Sequence, residues 1–182
     1  MTEELDTLRR VVGKLEEGGF NYMLTGSMAM GFYSIPRMTR HSDIVIVLSD
    51  KDIGKFVRLF EEDFYVDEYM VRESWNSKLM FNIFDKKSLF KIDFIIMQNE
   101  TYEVLKFERK RRFTFEGFEI NVISIEDLIV SKLFWARNSE SQTQLKDVKN
   151  LLKNATEKDY LLKTIKDLDL DDMYKKISLA DE

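Results

Sequence analysis

The spacing of apolar positions changes period several times along the chain. Over residues 3–17, Leu5, Leu8, Val12 and Leu15 recur at helical intervals, which predicts an amphipathic helix. Gly18-Gly19 ends it, because glycine closes a helix without a Cβ penalty. Residues 20–25 form a short apolar run that reads as a strand, and after Gly26-Ser27 the stretch 28–33 returns to a helical pattern. Pro36 closes that element, since the residue before a proline is pushed out of the helical region. Residues 43–48 (DIVIVL) are β-branched and apolar, the mark of a buried strand. Asp50 stands where it would cap a helix over 51–62, with Ile53, Phe56, Val57 and Phe60 facing inward.

Further along, 68–75 is helical, and 78–84 and 89–97 read as two strands joined through a hairpin turn at Asp85-Lys86-Lys87-Ser88. A short helix over 100–106 precedes a second strand pair, 109–115 and 118–123, turned at Glu116-Gly117. Ser124 then opens a helix with Glu126 and Asp127 in its first turn, where negative charge is favoured. The remainder is helical, over 125–136, 141–153, 157–167 and 170–177. This order predicts an α/β (α+β) fold followed by a C-terminal helical segment. A division near 124 gives a sheet core, 1–123, and a helical segment, 124–182. No flexible linker separates them, so they are expected to pack as one unit.

Composition narrows the functional classes. The chain has 182 residues, 44% hydrophobic and 34% charged, with one proline and seven glycines, which suits a single folded domain and argues against disorder. There is no cysteine, which excludes disulfides and thiolate metal sites. No apolar run approaches the roughly 18–20 residues of a membrane span. The charged N-terminus does not read as a signal peptide. A cytoplasmic protein without a membrane partner is therefore expected. The net charge of −5 makes a broad duplex-binding surface a weak default.

Three segments carry candidate chemistry. In Leu24-Thr25-Gly26-Ser27 a strand runs into Gly-Ser and a helix, which lets a phosphate approach the backbone and offers it free N–H groups; the same sequence also serves as a plain turn. His41-Ser42-Asp43 begins the buried strand. Residues i and i+2 share a strand face, so His41 and Asp43 project together and Ser42 faces away. Asp93 is a charge inside the apolar strand Lys91-Ile92-Asp93-Phe94-Ile95-Ile96, and a buried carboxylate requires an ion pair or a metal.

Taken jointly, their order resembles the nucleotidyltransferase superfamily of DNA polymerase β. That pattern is Gly-Ser after a strand, then Asp-x-Asp on a second strand, then a carboxylate on a later one. Here thirteen residues separate Ser27 from His41, and His41, Asp43 and Asp93 fill the three carboxylate slots. The run 22–40 and the segments 91–96, 107–113 (FERKRRF), 125–136 (IEDLIVSKLFWA) and 144–152 (QLKDVKNLL) resemble a bacterial subgroup near the abortive-infection toxin and antitoxin nucleotidyltransferases (AbiEii-like, MNT-like). The likeness spans about residues 20–153. It implies the nucleotidyltransferase fold, with a mixed central sheet flanked by helices. It also implies transfer of a nucleoside monophosphate from a nucleoside triphosphate to an acceptor: a protein side chain, an RNA end or a small alcohol. Mg2+ is the implied metal, with Mn2+ as the substitute, in a two-ion arrangement. Asp43 and Asp93 would be metal ligands and Asp93 also a base; Gly26 and Ser27 would hold the β- and γ-phosphates. Arg37 would reach a phosphate or make an ion pair. Lys132 would touch the triphosphate or be a solvated helix lysine. A toxin or antitoxin partner is also implied.

The departure is His41, the only histidine, where the pattern has aspartate. Imidazole is a poor ligand for magnesium, so three outcomes stand open: a weakened transferase, a site for manganese or zinc, or a pseudoenzyme that keeps nucleotide binding or only the fold. The basic run Arg109-Lys110-Arg111-Arg112 reads as a solvated sheet edge, part of it in ion pairs, rather than an RNA contact. Phe107, Phe113 and Phe115 read as core. Asp147 either orients a basic side chain or is a plain helix-surface carboxylate.

Overall fold

The computed structural model describes residues 2–36, 38–139 and 141–179. Helix α1 (Glu3–Glu17) is capped by Thr2 and buries Leu8, Val11, Val12 and Leu15. Strand β1 (Tyr22–Thr25) runs directly into the one-turn helix α2 (Gly26–Met30), and β2 (His41–Ile46) returns antiparallel beside β1. Helix α3 (Ile53–Phe60) buries the four apolar residues expected from its period. The hairpin of β4 (Met80–Asp85) and β5 (Lys91–Ile96) follows β3 (Phe64–Tyr65) and α4 (Glu68–Ser77). Then come α5 (Thr101–Glu108), the pair β6 (Arg111–Phe115) and β7 (Phe118–Val122), and the helices α6 (Ile125–Ser139), α7 (Gln142–Leu152), α8 (Lys158–Asp167) and α9 (Asp171–Leu179).

The sheet has seven strands in the order β3-β4-β5-β2-β1-β7-β6. It is mixed: β5 runs parallel to β2 and β7 parallel to β1, while the other neighbours are antiparallel. Strands β2 and β5, whose sequences read as continuously apolar, are the central ones, as strands covered on both faces should be. Phe94 of β5 stacks on Phe81 at 5.2 Å and meets Phe56 of α3 edge-on at 5.1 Å. Such aromatic contacts add about 0.5–1.5 kcal/mol each to the burial itself. One hydrophobic core joins α1, the sheet, α3 and the C-terminal helices, from Leu8 to Ile177.

Buried polar groups fasten the helices to this sheet. Asp85, at the end of β4, accepts hydrogen bonds from Thr7 Oγ1 at 2.7 Å, Ser88 Oγ at 2.8 Å and the Lys87 N–H at 3.1 Å, and pairs with Arg10. Burial alone would raise its pKa; the donors from Thr7, Lys87, Arg10 and Ser88 outweigh that and hold it at about 2. Asp127 of α6 likewise accepts from Tyr102, Arg109, Ser124 and Tyr160. Glu126 takes the N–H groups of Thr156 and Glu157, which fixes the start of α8.

Several local readings change, and the strand β3 is additional to them. The strand at 20–25 begins only at Tyr22. Asp50 does not cap α3; it lies in a 3-10 turn, Asp50–Asp52, and its carboxylate accepts from Arg72 of α4. The two-residue β3 has too few positions to show a period. Arg109 lies at the C-cap of α5, not on a strand, because the edge strand starts only at Arg111.

Candidate functional site

The site is assembled by strand register. The parallel pairing of β2 and β5 sets His41 beside Lys91 and Asp43 beside Asp93. Residues two apart share a strand face, so these four side chains form one square on the sheet surface. Ser42 and Ile92, between them, are fully buried on the other face. His41 Nε2 lies 3.5 Å from Asp43 Oδ1 and 3.9 Å from Asp93 Oδ2. Lys91 Nζ is 2.8 Å from the same Asp93 Oδ2. Asp93 is 2% exposed, and its other oxygen, Oδ1, is buried without a hydrogen-bond partner among the described residues.

On the other side, β1 pairs Thr25 with Asp43, so the turn into α2 starts against that carboxylate. Gly26 has φ +66°, a left-handed conformation that disfavours a side chain. A Cβ there would sit 2.0 Å from Asp43 Oδ2. Gly26 is thus demanded by the neighbouring aspartate as well as by the turn, and Ser27 follows it half-buried.

Electrostatics reflect the crowding. Burial raises the pKa of Asp43, and Asp93 pushes the same way; His41, Lys91 and Lys132 oppose them. Lys132, on α6, is 3% exposed and ion-paired at 2.7 Å with Asp147 of α7, which is equally buried; Gln144 Oε1 accepts from it at 3.1 Å. Lys132 is therefore not a solvated helix lysine, and Asp147 is not a surface carboxylate: it orients Lys132. Packing of α7 over α6 causes both burials. Arg37 lies outside the described residues, so its expected phosphate contact has no structural counterpart here.

The ligand atoms of His41, Asp43 and Asp93 all lie within 4.8 Å of one another, close enough for one metal ion to be held among them. Asp93 carries an orphaned, buried carboxylate oxygen, and an unmet buried acceptor is costly. The imidazole suits a transition ion better than magnesium. A pair of magnesium ions does not fit: the third carboxylate is missing and Lys91 already occupies one oxygen of Asp93.

Two features escaped sequence reading. Lys91 was visible inside the quoted segment, and its i, i+2 relation to Asp93 was the available signal. The second is a groove beside the square. Asn82 of β4 pairs with Asp93, and around it Tyr65, Met70, Met80 and Phe84 line a cavity of about 320 Å³. Nothing local marked Met80 and Phe84 as exposed. The arginines of the basic run, by contrast, are consumed by carboxylates: Arg109 meets Asp127 and Glu157, Arg111 meets Glu157, and Arg112 meets Glu119 and Glu16, while Lys110 donates to the Phe107 carbonyl. As expected, β6 is an edge strand. Phe107 is buried, and Phe113 and Phe115 are half-buried and pack on Phe32.

No protein-family description and no curated protein matches the chain. Solved structures do. An antigenic nucleotidyltransferase-like protein from Paracoccidioides brasiliensis superimposes with a TM-score of 0.62 at 18% identity, over 96% of this chain and 93% of that one. The lincosamide antibiotic adenylyltransferase LnuA, bound to lincomycin, gives 0.57 at 15% identity over 85% of this chain and 99% of its own. ANT(2")-Ia in complex with adenylyl-2"-tobramycin gives 0.59 at 11% identity over 100% of both. The fold is the nucleotidyltransferase fold. Among the described residues no helix is long and apolar enough to cross a membrane.

Proposed function

We propose that the chain binds a nucleoside triphosphate with a divalent cation and transfers the nucleoside monophosphate to a hydroxyl-bearing acceptor. The observation that carries this is the pairing of Asp43 with Asp93, the latter with an orphaned oxygen, directly beside the Gly26-Ser27 turn. In this reading Gly26 and Ser27 seat the β- and γ-phosphates, while His41, Asp43 and Asp93 hold the cation. The cation would neutralise phosphate charge. Lys132, fixed by Asp147, adds positive charge beside Asp43, and Arg37 is assigned to the phosphates by the resemblance alone. The acceptor oxygen attacks the α-phosphorus as the bond to the bridging oxygen of pyrophosphate breaks. Asp93 is the base for the hydroxyl proton, as the resemblance implies.

The groove at Asn82 supports a small molecule with an apolar body as acceptor. The ion-paired state of Arg109, Arg111 and Arg112 speaks against an RNA end. LnuA is bound to lincomycin and ANT(2")-Ia to adenylyl-2"-tobramycin, both small molecules. The segment 1–123 would carry the substrate groups and 124–182 would contribute Lys132. The cysteine-free composition adds a cytoplasmic setting, and the subgroup resemblance alone adds a toxin or antitoxin partner.

Titration calorimetry of ATP, CTP, GTP and UTP with Mn2+ or Mg2+ tests the reading, on this protein and on His41→Asp. Metal-dependent binding of one nucleotide by the natural chain is the expected result. A second reading is a non-catalytic nucleotide-binding or antitoxin-like scaffold. It is favoured by the contact of Lys91 with Asp93, which occupies a ligand oxygen. Binding seen only in His41→Asp selects the antitoxin-like form of that reading, and binding by neither protein removes the nucleotide and leaves the chain an interaction module.

A further inference from the structure

We infer that Lys91 stands in place of a second cation, so that this site holds a single divalent ion of the transition series between His41, Asp43 and Asp93. The inference rests on the same three side chains as the proposed function and refines what they bind.

The register makes Lys91 part of the site. Paired with His41 across β2 and β5, it shares the face of Asp93 and reaches Oδ2 at 2.8 Å. Its side chain is 33% exposed, so the ammonium lies at the edge of the site and not in the core. That contact is to the Asp93 oxygen that faces the imidazole, 3.9 Å from His41 Nε2, so the ammonium competes with an ion for it, while Oδ1 stays buried without a hydrogen-bond partner among the described residues. Asp43 Oδ1 and His41 Nε2, 3.5 Å apart, supply two more ligand atoms. Transition ions bind nitrogen and oxygen at about 2.0–2.2 Å, so three ligands around one ion lie about 3–4 Å from each other. The observed spread, within 4.8 Å, closes on one ion with small side-chain rotations.

Charge decides the number of ions. Two carboxylates facing one ammonium leave a single net negative charge. One dication reverses that to a single positive charge, which a triphosphate readily meets. Two dications would crowd three excess positive charges into a partly buried site before any nucleotide arrived, with a strong mutual repulsion at low dielectric. Ligand type decides the kind of ion. Magnesium holds oxygen ligands and parts with water reluctantly, whereas manganese and zinc accept imidazole. Lys91 then supplies, as a fixed side chain, the second positive charge that faces the phosphates.

The test is titration with Mn2+ alone, without nucleotide, counting free ion by electron paramagnetic resonance. The natural chain should bind one Mn2+ per molecule. Lys91→Met, with the competing ammonium gone, should bind the ion about tenfold more tightly, while Lys91→Arg should keep the natural affinity. Should Lys91→Met fail to fold by circular dichroism, Lys91→Gln replaces it. His41→Asp should move the ratio of Mn2+ to Mg2+ affinity towards Mg2+ by about tenfold. Two ions in the natural chain, no ion, an unchanged affinity in folded Lys91→Met, or an unchanged ratio in His41→Asp would each overturn the inference. Nucleotide is absent throughout. One Mn2+ per chain without any nucleotide binding therefore removes the proposed function alone. Metal-dependent nucleotide binding by a chain that holds no Mn2+, or two, in the absence of nucleotide removes this inference alone.

Discussion

A Cβ placed on Gly26 would come within 2.0 Å of Asp43 Oδ2 while the backbone holds φ at +66°. A single methyl group at this position therefore acts twice. It strains the turn by about 1–2 kcal/mol, and it pushes the Asp43 carboxylate off the square it forms with His41, Lys91 and Asp93. Gly26→Ala should lower the melting temperature by several degrees and abolish Mn2+ binding, whereas Ser27→Ala should leave the fold intact. A Gly26→Ala protein that binds Mn2+ with natural affinity would show that Asp43 has room to move.

Between elements, the most exposed dependence is the ion pair that ties α6 to α7. Lys132 and Asp147 are each almost fully buried, so removal of one partner strands a charge. Asp147→Ala is expected to cost roughly 3–5 kcal/mol. The double substitution Lys132→Met with Asp147→Leu should recover most of that stability, since well-packed apolar pairs replace buried ion pairs at little cost. The recovered protein should still bind nucleotide more weakly, because the positive charge near Asp43 is gone. Chemical denaturation of the two variants beside the natural chain checks the first part, and calorimetry checks the second.

The whole molecule answers to pH through Asp85, which links α1 to the β4–β5 hairpin on the opposite side of the sheet from the square. Its folded pKa is depressed to about 2 from the ordinary 3.8. A depressed carboxylate contributes stability that is fully present above the unfolded value and lost as pH falls through the folded one. Stability should thus drop by roughly 2 kcal/mol between about pH 4 and pH 2 from this group alone. Asp85→Asn should be less stable at neutral pH and show a flatter acid limb. Urea denaturation across that range provides the comparison; a parallel acid limb in Asp85→Asn would assign the loss to other carboxylates.

Local order was written in the chain at several points. The period of α1, the β-branched runs of β2 and β5, the turn at Gly26 and the alternation that puts His41 and Asp43 on one face all follow from residues near each other, because backbone geometry sets those periods. The three candidate side chains were legible for the same reason, through their order on successive strands. Tertiary structure decided the rest. The parallel register of β2 and β5 brought Lys91 to His41 and Asp93, and no local pattern encodes which residues of two distant strands become partners. Docking of α7 on α6 buried Lys132 with Asp147, and the placement of β4 at the flank of β5 opened Met80 and Phe84 into a groove. Burial is a property of what packs against a residue, and that is supplied by segments far away in the chain.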